Sequence, residues 1–70
     1  MQVFDMYGYE LFTGDRVEVH QDEGMRMATV AKLIDSQTTL EPGYWVDVTF
    51  DGNSGLEEGI PSYILKKVDI

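Results

Sequence analysis

The stretch "YWVDVTFDG", residues 44–52, decides how this chain is read. Tyr44, Val46, Val48 and Phe50 fall on one parity, and Trp45, Asp47, Thr49 and Asp51 on the other. A period of two is the mark of a strand with one buried face. The alternation turns the valines inward and puts the only Trp outward, either packed under the N-terminal "QVFDMYGYELF" arm or exposed as an anchor for a partner. "DGNSG" then makes a tight turn.

Working outward, the same kind of signal recurs. Turn-formers punctuate the chain at Gly8, Gly14, Gly24, Pro42, Gly43, Gly52, Gly55, Gly59 and Pro61, and the runs between them are rich in Val, Ile, Thr and aromatics. Strands at this spacing suggest an all-β sandwich or barrel. "TGD" turns into a strand over Arg16 to His20, with Val17 and Val19 on one face and Arg16, Glu18 and His20 on the other. "QDEGM" reads as a loop. Met27 to Ile34 is the next strand, with Ala28 and Val30 in the core. Its alternation degrades near Lys32, as expected at a bend or bulge. A helix over 27–34 is the alternative, but β-branched residues in so short a run favour a strand. "DSQTTLEPG" is a polar loop. Glu57 to Ile60 is a short strand, Pro61–Ser62–Tyr63 suits a single 3-10 turn, and Leu65 to Val68 is the last strand. Residues 1–13 form an N-terminal arm or hairpin, in which Val3 and Phe4 extend and "DMYGY" reverses the chain. The whole, residues 1–70, is one domain.

Composition sets the limits. A chain of 70 residues buries only about 60 % of its unfolded surface, so a stability of roughly 3–5 kcal/mol is expected. There is no Cys, hence no disulfide, thiolate nucleophile or Cys-based zinc site. No basic, apolar leader opens the chain, and no run approaches a membrane span. These features suggest a soluble, cytoplasmic protein. Thirteen acids against five bases give a net charge of -8, and no base occurs between Lys32 and Lys66. Such a surface repels phosphate backbones and anionic lipid, and suits either solubility as a monomer or a basic partner.

Several motifs resemble SH3-like small barrels. "GDRVEV" is similar to the first strand of SH3, KOW and Tudor-type barrels. "ATVAKLIDS" followed by "YWVDVTFDG" resembles two strands of the accessory barrels of electron-transfer and hydratase complexes, the small stromal photosystem I subunit among them. "GIPSYILKKV" resembles the SH3 closing run. The resemblance covers most of residues 14–68 and implies a five-stranded SH3-like barrel with a short 3-10 turn before the last strand. It also implies possible roles. Peptide-binding SH3 domains line a groove with Trp, Pro and Tyr residues, which Trp45, Pro61, Tyr63, Tyr7 and Tyr9 match in type. Here only "ELFT" separates Tyr9 from Gly14, and a whole strand intervenes before Trp45, so the resemblance does not require Trp45 to sit beside Pro61. A KOW role would need a basic loop where "HQDEG" stands. A Tudor role would need converging aromatics around a methylated cation. The accessory-barrel role implies docking onto a larger complex.

Chemistry is sparsely supported. No local pattern links Ser36, Ser54 or Ser62 to His20, which reads as a surface residue. "DGNSGLEEG" departs from a calcium loop at Gly55 and Ser62. Glu57 and Glu58 are adjacent on a strand and do not make a carboxylate dyad. Met25 and Met27 read as a core edge, with an adaptable contact surface as the alternative. No catalytic residue, metal or cofactor is therefore expected. The reading that remains is a non-enzymatic interaction module or small accessory subunit. Its partner-binding residues would be Tyr44, Trp45, Asp47, Asp51, Glu57, Glu58 and Tyr63, facing a protein with a basic surface. The alternatives are an acidic nucleic-acid mimic that inhibits a DNA- or RNA-binding enzyme, and a direct nucleic-acid module using Arg16, Arg26, Lys32, Lys66 and Lys67.

Overall fold

A computed structural model describes residues 2–22, 24–35, 44–53 and 55–68. Within them the protein is all-β. β1 (Val3–Phe4) and β2 (Glu10–Leu11) form a small hairpin. β3 (Arg16–Gln21), β4 (Gly24–Asp35), β5 (Tyr44–Phe50), β6 (Leu56–Pro61) and β7 (Leu65–Lys67) form one antiparallel sheet in the order β6-β5-β4-β3-β7. Four strands follow one another as a meander. A 3-10 turn over Ser62–Ile64 then carries the chain back, so that the fifth lies against the first.

The burial pattern follows the alternation. Val17 and Val19 of β3, Ala28 and Val30 of β4, Val46, Val48 and Phe50 of β5, Ile60 and Leu65 are all buried. Apart from Ala28, each of these side chains contributes about 1.5–3 kcal/mol relative to exposure. Val3 and Leu11 face each other across the N-terminal hairpin and are fully buried in the same core. The exposed Arg26 lays its guanidinium 3.8 Å from the centroid of the buried Phe50 ring.

Two register shifts shape the sheet. β4 slips against β5 between Val30 and Lys32. The extra residue reverses the strand's parity, so Val30 and, beyond the slip, Leu33 both pack on the core side. This is the place where the sequence alternation degrades. β5 and β6 slip between Val46 and Val48, so that Glu58 and Gly59 of β6 together oppose the single residue Asp47. Gly59 takes φ 74° there, a left-handed conformation that favours glycine.

Three sequence expectations need correction. "QDEGM" is not an open loop. β3 and β4 stay paired as far as Gln21 and Gly24, so their connection spans two residues, and Asp22 takes φ 53°. Met25 is exposed and Met27 half-buried, because this ribbon runs past the core. The 3-10 turn begins one residue later than expected, at Ser62. The loop expected over "DSQTTLEPG" lies, from residue 36 on, outside the described residues, as do Ser36 and Ser54.

The N-terminal hairpin is held to the sheet by Asp5. Its buried carboxylate accepts the backbone N–H of Tyr7 (2.9 Å) and Tyr9 (2.8 Å) on Oδ1, and that of Lys67 (2.8 Å) on Oδ2. The Met6 N–H donates to the Leu65 carbonyl at 2.9 Å. One acid thus shapes the turn and docks it on β7.

Candidate functional site

β5 places its first residues at the end of the sheet where the 3-10 turn begins. Trp45 lies in register with Ile34 on one side and Pro61 on the other. The indole is half-buried and on the parity opposite the core valines. Although the SH3 resemblance does not require it, Trp45 and Pro61 are direct neighbours. Two residues on, the 3-10 turn carries Tyr63 with 72 % of its surface exposed. β1 also packs against this turn. Phe4, Tyr7, Tyr9 and Phe12 of the N-terminal hairpin are likewise exposed.

Phe4 and Phe12 have no place in the sequence reading of the site. The signal available for them was parity: Val3 and Leu11 pair inward, so their chain neighbours point out.

The acids separate into different roles. Glu57 and Glu58 are exposed on β6, with Glu57 in register with Val48. Asp47 is not a surface acid. It is only 3 % exposed, and its Oδ1 accepts the N–H of Gly59 at 3.0 Å. The register slip frees that donor, and a buried N–H needs an acceptor. Asp47 therefore belongs to the scaffold. Asp51 is exposed but engaged. Arg16 reaches it with both terminal nitrogens, at 2.7 and 2.5 Å, and also donates to the Thr29 hydroxyl at 2.8 Å. This fork–fork contact holds the Asp51 carboxyl below its ordinary range, chiefly through the hydrogen bond from Arg16, and Arg16's charge acts in the same direction. Six residue steps along β5 and its end separate it from Trp45, about 20 Å. The structure thus sets Trp45 opposite Pro61, with Tyr63 two residues on in the 3-10 turn and Glu57 and Glu58 further along β6, Glu57 opposite Val48. It does not bring Asp47 or Asp51 to that surface. The side chain of Tyr44 lies outside the described residues.

The bases are largely committed to the fold. Lys67 donates to the Glu10 carbonyl at 2.9 Å, pairs with Asp15 at 3.1 Å and lies 5.1 Å from the Phe12 ring centroid. Arg26 covers Phe50 and Arg16 holds Asp51. His20 is exposed and contacts Glu18 at 2.9 Å. Among the described residues no group of three His, Asp or Glu side chains is placed to hold a metal ion, and no helix is long and apolar enough to cross a membrane. Comparison with protein-family models, with curated proteins and with solved structures finds no match for this sequence.

Proposed function

We propose that this chain is a non-enzymatic interaction module, built as an SH3-like barrel, that docks a protein with a basic surface. The strand meander closed by a 3-10 turn before the last strand supports the barrel reading. One observation carries the docking role: Trp45, Pro61 and the exposed Tyr63 share one end of the sheet, and Glu57 and Glu58 lie exposed on the strand that ends in Pro61. Aromatic anchors of this type supply affinity, while carboxylates steer the encounter and fix its register. Asp47 and Asp51 act as structural acids in this reading. The protein works as a soluble, cytoplasmic monomer, either alone or as a small accessory subunit.

The test is to recover partners from host lysate and titrate the captured basic protein at increasing salt. The association rate falls as salt rises, and Trp45→Ala weakens the complex. A rate indifferent to salt, together with full binding by Trp45→Ala, would refute the proposal.

The Trp45–Pro61 pairing favours one further reading, in which the partner's contact segment is proline-rich and lies across Trp45, Pro61 and Tyr63. A panel of proline-rich peptides carrying Arg or Lys tests it. Saturable quenching or a shift of Trp45 emission supports this reading, and an unchanged spectrum across the panel rejects it.

A further inference from the structure

The sheet has two edges, and they are finished differently. The N-terminal hairpin covers β7, through the bond from Met6 to Leu65 and the bond from Lys67 to Asp5. β6 is the other edge. Among the described residues, no backbone group of Leu56, Glu57 or Glu58 bonds to anything beyond β5. An open edge is a template for another strand, and proteins usually blunt it.

The blunting here is selective. Leu56, Glu57 and Glu58 are all exposed. Lys32, in register with Asp47, stands two strands in from the edge, roughly 10 Å away. Two copies of this chain would meet with like charges face to face, which disfavours self-pairing. The same carboxylates attract a basic strand.

We infer that β6 receives an extended, lysine- or arginine-bearing segment of the partner as an added strand along Leu56 to Glu58. The site has a defined end. The Gly59 N–H is already given to Asp47, and Pro61 has no N–H to offer. The added ladder is therefore short, and recognition depends on basic side chains beside Glu57 and Glu58 and an apolar one against Leu56. This inference rests on the docking role proposed above and names the contact through which a basic partner would be held.

The experiment uses the full chain and two synthetic peptides. One carries adjacent lysines within a valine- and threonine-rich extended sequence. The other has the same sequence with alternate backbone nitrogens methylated, so that it cannot complete a ladder. The first should raise hydrogen-exchange protection within Leu56–Glu58. N-methylation should weaken binding about fivefold, the equivalent of roughly one net hydrogen bond. Replacing both Glu57 and Glu58 by Gln should weaken it about threefold to tenfold. Equal binding of both peptides, or binding without β6 protection, overturns the added strand and leaves the docking role standing. Failure of the lysine peptide to bind also overturns the added strand. The docking role is then judged separately, from Trp45 and Tyr63 variants against the captured protein.

Discussion

The backbone N–H of Gly59 donates to the Asp47 carboxylate across 3.0 Å, at the point where β5 and β6 slip out of register. Bulge and acid form one unit, each explaining the other. Asp47→Ala leaves the Gly59 donor without its acceptor and should cost about 1–3 kcal/mol. Asp47→Asn keeps a carbonyl acceptor and should cost less. Gly59→Ala meets no heavy atom within 4 Å, so its penalty comes from φ 74° alone, about 1–2 kcal/mol. Urea unfolding of the three variants measures this ranking. Equal stability of Asp47→Ala and the parent would mean that the bulge is satisfied by water.

Asp5 accepts three backbone N–H groups from two elements that are far apart in sequence. Hydrogen bonds to a charged acceptor are worth about 1.5–3 kcal/mol each at most, and they are not additive within one network. Asp5→Ala should therefore cost about 3 kcal/mol, a large share of the roughly 3–5 kcal/mol available to a domain of this size. Amide exchange at Tyr7, Tyr9 and Lys67 should accelerate together. Faster exchange at Tyr7 and Tyr9 alone would show that the bond to β7 is dispensable.

These two acids also show what was legible in the sequence. The alternation in β5 and the valine pairs of β3 were readable because local parity alone decides them. The slip in β4 was readable as a break in that parity. The role of Asp47 was not, since the binary pattern assigns any polar residue to solvent. The available cue was Gly59 inside a strand, which often marks a bulge. Asp5 bonds to Lys67, and Asp51 to Arg16, across separations no local pattern encodes. The ribbon ends of β3 and β4 were missed because both of their faces meet water, so no periodicity marks them. For the candidate surface, residue types were readable, but their grouping depended on register. The pairing of Trp45 with Pro61 is set by the course of β6.

Arg16 and Asp51 make stability depend on pH in a predictable direction. The pair holds the Asp51 carboxyl below its ordinary range. A depressed folded-state value means that the unfolded chain takes up the proton first as pH falls. The contribution is therefore complete above the unfolded value of about 3.9 and disappears as pH drops through the lower folded value. Asp51→Asn should lie below the parent in thermal stability near neutral pH, and the gap should narrow and close as the pH falls below the unfolded carboxylate value. Added salt should narrow the gap at neutral pH, since both partners are solvent-accessible. A gap that persists unchanged in acid would assign the effect to packing at Thr29 instead of to charge.

Tyr63 offers the cleanest separation of binding from folding. It sits 72 % exposed on the 3-10 turn, while its neighbours Ser62 and Leu65 are buried and hold the turn in place. Truncating it removes little that the fold uses, so Tyr63→Ala should stay within about 0.5 kcal/mol of the parent in urea unfolding. Its effect on docking should be larger, about 1–2 kcal/mol or a five- to thirtyfold loss of affinity. Trp45 reports on the same contact, because it is the only Trp and stands opposite Pro61, where the strand enters the turn. Its emission should shift when the parent binds the captured partner, and the Tyr63→Ala titration should reach the same end point at higher concentration. An unchanged affinity in Tyr63→Ala would move the recognition surface off the 3-10 turn. The exposed aromatics of the N-terminal hairpin, Tyr7 first, would then be the next residues to truncate.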